Sequence, residues 1–245
     1  MLVGTHTDSV STSSGINDNA SGIAALLEVA TQLAKFRTNS RIKFAFWTAA
    51  EPCLLGSKHW ISNTHEEELR NIRLYFDVNM IGSPNGALKI YDGNGTTYKR
   101  PGPPGSGDAE LVVAKGFETQ GAPFKRTEIS NRSDYAPFID AHIPIAGLFS
   151  GANGIKTSDE AAMFGGEAGV PYDINYHKAE DEIQYINGTT LLLNTKALAY
   201  VIGIYGRSFE GFNAKSKAWR YVVTLEFLNW MALVWGIYIF FAYAL

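Results

Sequence analysis

The sequence predicts an α/β fold: one mixed, mostly parallel, twisted sheet with helices on both faces. Three observations predict it. Short apolar segments alternate with longer segments of helical periodicity along most of the chain. The first apolar segment runs into a polar loop rich in His and Asp, as strands do where α/β sheets bind ligands at their carboxyl edge. At 245 residues, 46% hydrophobic and 18% charged, the chain can bury one substantial core.

In chain order, Met1 to Thr5 is a short apolar strand. Gly4 to Gly22 reads GTHTDSVSTSSGINDNASG and brings His6, Asp8 and Asp18 into a loop ahead of a helix over Ser21 to Phe36, with Ile23, Leu26, Leu27, Val29, Ala30 and Leu33 at helical spacing. Asp18, Asn19 or Ser21 could serve only as a helix cap, but His-x-Asp has no capping purpose and suits a metal. A strand follows at Ile42 to Thr48, then a helix over Ser57 to Arg70, in which the charge run Glu66 to Glu68 reads as a solvated face. Strands at Arg73 to Val78 and Leu88 to Tyr91 precede a Pro- and Gly-rich loop, Arg100 to Gly107. A helix over Asp108 to Gln120, a strand at Pro144 to Phe149 and a helix over Thr190 to Tyr205 complete the pattern. Cys53 is the sole cysteine, so no internal disulfide exists; beside Leu54 and Leu55 it reads as a small buried residue, with a reactive thiol as the alternative.

The segments GTHTDS, GINDNASGIAALLEVA, FAFWTAAEPCLLGSKHW, NMIGSPN, NRSDYAPF, IPIAGLFSGA and PYDINYHKAEDEI, in this order, resemble the zinc aminopeptidases of the leucyl-aminopeptidase and vacuolar aminopeptidase Y type, whose clan also holds glutamate carboxypeptidases and glutaminyl cyclases. The likeness runs from Met1 to about Phe212 and implies a two-zinc exopeptidase, of phosphorylase/hydrolase-like fold, that removes single residues from peptide N-termini. It implies that His6 is the first imidazole ligand, with Asp8 the supporting carboxylate behind it. Asp18 would bridge both metals, Glu51 and His177 would complete one zinc, Tyr176 would steady the oxyanion, and Arg132 would help to hold the substrate.

Two positions depart from that pattern. Where the resemblance calls for the general base immediately before Glu51, the chain has Ala50, and where it calls for an Asp ligand of the other zinc, the chain has Asn79. A positioned acid/base group is worth about 10² to 10⁴ in rate, and Asp to Asn removes a full charge from a cation site. Asp18, Glu51 and His177 remain a three-ligand set with an open fourth position, so one tightly bound Zn²⁺ and a weakened second site are expected. Asp77 shares a strand face with Asn79 but lies one layer deeper, about 6 to 7 Å away, and is not expected to replace it. The disulfide frequent around the last His of relatives is absent, its positions being Asn175 and Glu180.

A net charge of −3 gives no support to nucleic-acid binding. Residues 1–212 read as the zinc aminopeptidase-like domain, 213–226 as a linker, and Phe227 to Leu245, FLNWMALVWGIYIFFAYAL, as a membrane-helix candidate close to the roughly 20 residues a bilayer requires. A buried or out-of-frame tail is the competing reading, and Lys215, Lys217 and Arg220 before the span would by charge lie on the cytoplasmic side. The chain starts inside the metal-bearing strand, without a visible signal peptide, where relatives have further strands, so an N-terminal truncation is expected. Relatives are secreted, vacuolar or lumenal, and sequons at Asn94, Asn131 and Asn187 fit that compartment. The expectation is therefore a zinc metallo-aminopeptidase by ancestry, acting on peptide N-termini and catalytically impaired. Its alternative is a non-catalytic, membrane-anchored module that binds a peptide or partner.

Overall fold

A computed structural model describes residues 1–212. Strands β1 (Leu2–His6), β2 (Lys43–Trp47), β3 (Tyr75–Val78), β4 (Lys89–Tyr91), β5 (Lys125–Thr127) and β6 (Ile145–Phe149) form one sheet in the order β2-β1-β3-β6-β4-β5. All neighbours are parallel except β4 and β6, so the sheet is mixed and mostly parallel. The helices are α1 (Ser21–Leu33), α2 (Leu55–Asn63), α3 (Glu66–Arg70), α4 (Ser106–Glu118), α5 (Ala136–Asp140), α6 (Ser158–Phe164) and α7 (Gly188–Arg207).

Alternation along the strands explains the layers, because successive side chains leave opposite faces of a sheet. Val3, Phe76, Val78, Ile90 and Leu148 point to one face and pack with Leu26 and Val29 of α1, Val113 and Phe117 of α4, and Leu198 and Val201 of α7. Leu2, Tyr75, Tyr91 and Ile145 point to the other and pack with Phe138 of α5 and Trp60 of α2. There the Tyr75 and Phe138 rings stack at 3.8 Å.

The expected helix over Ser57 to Arg70 is two helices, broken at Thr64, whose backbone is extended. Its own sequence breaks it: Ser62, Asn63 and Thr64 turn their side chains onto the carbonyls of Lys58, His59 and Trp60, offering the backbone an alternative to helix. Glu66 to Glu68 are exposed, as a solvated face requires. Cys53 is exposed rather than buried, because it lies in a left-handed turn with φ 74° that carries it away from the core.

Among the described residues, no helix is long and apolar enough to cross a membrane. The candidate linker and span, 213–245, lie outside the described residues.

The topology fixes where chemistry can occur. Since β2, β1 and β3 are adjacent and parallel, their carboxyl ends bring His6, the turn after Trp47 and Asn79 to one edge. Gly56 keeps that edge tight, because a Cβ there would collide with the carbonyl of Thr48.

Candidate metal centre

Each candidate side chain is held by a loop that a different loop restrains. Asp18 lies in the turn Ile16–Ala20 between β1 and α1. Asp181 grips that turn, its two carboxylate oxygens accepting the N–H of Asn17 at 2.7 Å and of Asp18 at 3.1 Å. Asp173 accepts from Asn17 Nδ2 at 2.6 Å. Glu51 lies in the turn after β2, where Asp8 accepts the N–H of Ala50 at 2.9 Å and of Glu51 at 3.0 Å. His6 Nδ1 donates to the backbone carbonyl of Asp8 at 3.0 Å, which leaves Nε2 as the ring atom free for a metal.

Asp18 stands between two imidazoles. Its Oδ1 is 3.2 Å from His6 Nε2, and its Oδ2 is 3.3 Å from His177 Nε2. His177 Nε2 is also 3.4 Å from Glu51 Oε1, is buried, and makes no hydrogen bond among the described residues. Ligand atoms of His6, Asp18 and Glu51 all fall within 4.8 Å of one another. A carboxylate offering one oxygen to each of two imidazoles, beside a second carboxylate and an orphaned ring nitrogen, is a donor set that fits divalent zinc. Burial disfavours charge on His6, but the hydrogen bond and charge of Asp18 outweigh it and raise the imidazole to about 9. Burial also works against the Asp18 carboxylate, and the two imidazoles outweigh it and lower its pKa. Glu51 is pushed up by burial and by the charge of Asp18.

His6, Asp18, Ala50, Glu51, Asn79, Arg132 and Tyr176 line one cavity of about 400 Å³. Tyr176 stacks on the His177 ring at 3.8 Å, and burial followed by the charge of Asp18 pushes its hydroxyl to about 12. Asn79 is oriented rather than loose. Its Nδ2 donates to Ser133 Oγ at 3.0 Å, and its buried Oδ1 has no partner among the described residues. Ser133 in turn donates to Asp77 at 2.7 Å, and Asp77 also accepts from Tyr75 at 3.1 Å and from Tyr91 at 3.4 Å. Asp77 is fully committed beneath Asn79.

Sequence reasoning missed Asp173, Asp181, Ser133 and Asp134. The first two lie four residues either side of His177, and the other two directly follow Arg132, so proximity to recognised segments was the available signal. A second signal is visible only in the backbone: Ala49, Met80, Asn131 and His177, each at or beside a candidate residue, have φ between 47° and 61°. Left-handed backbone at non-glycine residues is costly and concentrates at functional sites. Of the sequons, Asn187 uses its side-chain oxygen to cap α7.

The profile of peptidase family M28 matches residues 1–202. Leucine aminopeptidase 2 of Trichophyton rubrum is 45% identical over 217 residues, covering 89% of this chain and 44% of the relative. Probable leucine aminopeptidase 2 of Aspergillus fumigatus is 43% identical over 210 residues, covering 86% and 42%. The chain thus spans less than half the length of the curated relatives it matches. Among solved structures, the fold is similar to BSAP, a zinc aminopeptidase from Bacillus subtilis, with TM-score 0.67 and 24% identity over 87% of this chain and 47% of that one. It is also similar to the Porphyromonas gingivalis glutaminyl cyclase, with TM-score 0.61 and 17% identity over 84% and 73%.

Proposed function

The chain belongs to peptidase family M28, and from that premise we propose that it is a zinc-dependent aminopeptidase whose hydrolysis of peptide N-termini is attenuated by Ala50 and Asn79. The observation that carries the reading is the placement of Asp18 between His6 and His177, with Glu51 beside the orphaned Nε2 of His177. Asp18, Glu51 and His177 would hold one zinc tightly. His6, the other oxygen of Asp18 and the neutral Oδ1 of Asn79 would form a weaker second position, lacking one negative charge. Zinc bound there supplies Lewis-acid polarisation of the scissile carbonyl and lowers the pKa of water.

The chain's own side chains do the rest. Tyr176, backed by the His177 ring, is set to donate to the oxygen that gains charge in the transition state. Arg132 at the cavity wall would orient the peptide. When only the Asp18, Glu51 and His177 position holds zinc, the orphaned Oδ1 of Asn79 would instead accept a hydrogen bond from the substrate's α-ammonium, a contact weaker than the ionic one an Asp would make. Ala50 contributes no proton transfer, and this is the origin of the attenuation.

Elemental analysis together with turnover of a leucyl chromogenic substrate tests the reading. About one zinc per chain with slow turnover that chelation abolishes is the expected result. Absence of bound zinc after loading would overturn it. Peptide binding without turnover would favour the non-catalytic module instead.

A further inference from the structure

With Ala50 in place of a carboxylate, some other group must hold the proton if any peptide is to be cleaved, and the same cavity contains one. Asp134 lies between Ser133 and α5, is 1% exposed, and lines the cavity together with Ala50, Glu51 and Asn79. Its Oδ1 accepts from Ser57 Oγ at 2.5 Å. Ser57 in turn donates to the carbonyl of Leu54 at 3.3 Å, and the N–H of Leu54 donates to the carbonyl of Ala50 at 2.8 Å. Asp134 is therefore anchored through α2 to the turn that carries the vacant position. One oxygen is fixed by that anchor; the other, Oδ2, accepts no hydrogen bond among the described residues.

We infer that Asp134 is the proton carrier of this active site, standing in for the side chain that position 50 lacks. The inference rests on the hydrolytic reading above. In the step it performs, the water oxygen bonds to the scissile carbonyl carbon while one of its protons passes to Asp134 Oδ2. The C–N bond then breaks, and Asp134 returns that proton to the departing amine nitrogen. The second water proton leaves with the new carboxyl group, so Asp134 ends as it began. The surroundings suit this use. Burial raises the Asp134 carboxyl above its ordinary range, the Ser57 hydrogen bond and the charge of His6 pull it back, and the charge of Asp8 raises it. Asp134 in turn helps to raise buried Asp77. A carboxyl lifted toward neutrality is better matched to proton shuttling than an ordinary one.

Four proteins test the inference: the wild type, Asp134→Asn, Ala50→Glu, and the two changes combined, each with zinc counted by elemental analysis and peptide affinity measured by calorimetry. Asp134→Asn in the Ala50 background is expected to lower kcat about 100-fold or more, with zinc content and peptide affinity within about 3-fold of the wild type. In the Ala50→Glu background the same change is expected to cost under about 10-fold, because the introduced carboxylate then carries the proton. Equal losses in both backgrounds, no loss in either, or wild-type turnover no faster than free zinc would overturn the inference. Should Asp134→Asn fail to fold, Ser57→Ala decides: loss of its hydrogen bond should move the acidic limb of the kcat profile to higher pH with KM little changed, and an unmoved limb counts against Asp134. Failure of the hydrolytic reading looks different, since Ala50→Glu would then gain nothing over the wild type.

Discussion

Asp8 Oδ2 accepts the backbone N–H of Glu51 at 3.0 Å, so one acidic residue sets the position of another through the main chain. Its Oδ1 holds Ala50 in the same way, while its backbone carbonyl fixes the ring of His6. The sequence pointed to Asp8 as a carboxylate supporting His6. In the structure the Asp8 carbonyl accepts from His6 Nδ1 and the carboxylate Oδ1 lies 3.8 Å from the same nitrogen, while the carboxylate also organises the turn after β2.

Replacing Asp8 by Ala leaves two N–H groups without their acceptor. Hydrogen bonds to charged groups contribute about 1.5–3 kcal/mol each, and loss of such supporting partners weakens metal sites by about 10–100-fold. Asp8→Ala is expected to lower zinc affinity by that factor and to reduce stability measurably in urea. Unchanged zinc affinity in a competition titration with a chelator would show that the clamp is irrelevant to the centre.

Restoring the two missing carboxylates should restore both functions separately. Ala50→Glu is expected to raise kcat by about 10-fold or more, the part of a positioned acid/base group's worth that Asp134 does not already supply, without changing zinc stoichiometry. Asn79→Asp is expected to take the metal count from about one to about two per chain at the same free zinc, since the ligand regains its charge. Kinetics and elemental analysis on each variant distinguish the effects; a rise in metal count from Ala50→Glu alone would contradict this assignment.

Asp77 makes stability fall as pH rises. Burial, then the charge of Asp134, raises its carboxyl to about 7, against an ordinary value of 3.8. A folded-state pKa above the unfolded one means that the native protein binds the proton more tightly, so stability declines between about pH 4 and 7 and stays low above that. Asp77→Asn keeps an acceptor for Ser133 and Tyr75 but cannot ionise. Its melting temperature should exceed that of the wild type above pH 7 and lose the advantage near pH 4; a constant difference across the range would refute the account.

Glu160 works in the opposite sense. It is 7% exposed, and although burial opposes its charge, the Tyr172 hydroxyl, the Thr157 amide and the Lys89 ammonium outweigh this and hold it at about 2. A depressed carboxyl stabilises the fold above its unfolded pKa of 4.5, and that contribution disappears as pH falls from about 4.5 toward 2. Glu160→Gln is expected to be less stable at neutral pH, on the order of 1–3 kcal/mol for the charged hydrogen bonds. Its melting temperature should also fall less steeply with acid. Parallel curves for the two proteins would rule the mechanism out.

Much of this was legible in the chain. β1, α1, β2, β3, β4, α4, β6 and α7 announce themselves by apolar period, since each turns a face to one of two cores. β5 does not: Lys125–Thr127 is three polar, half-buried residues at the edge of the sheet. α5 is short and has Pro137 in its first turn. α6 could have been found from Thr157 and Glu160, which form a capping box. At the site, His6, Asp8 and Asp18 stand out in the sequence as a His-x-Asp pair followed by an Asp, whereas Glu51 and His177 come only from the resemblance; the structure brings His6, Asp18, Glu51 and His177 close together. Asp181, Asp173 and Ser133 were not readable, because their role consists in touching segments far away in sequence, which no local pattern records.

That long-distance grip has a consequence for how the protein is made. The carboxylate of Asp181 and the backbone of Asn17 are 164 residues apart, and His177 comes from the same late segment. A nascent chain emerging from the ribosome carries His6, Asp18 and Glu51 early, and Thr5, Val78 and Met80 can already hold Asn19 of the turn, yet the second grip, from Asp181, comes only with the late segment. The three-ligand zinc position proposed for Asp18, Glu51 and His177 can thus be completed only late in translation, and a chain arrested before His177 lacks its third ligand.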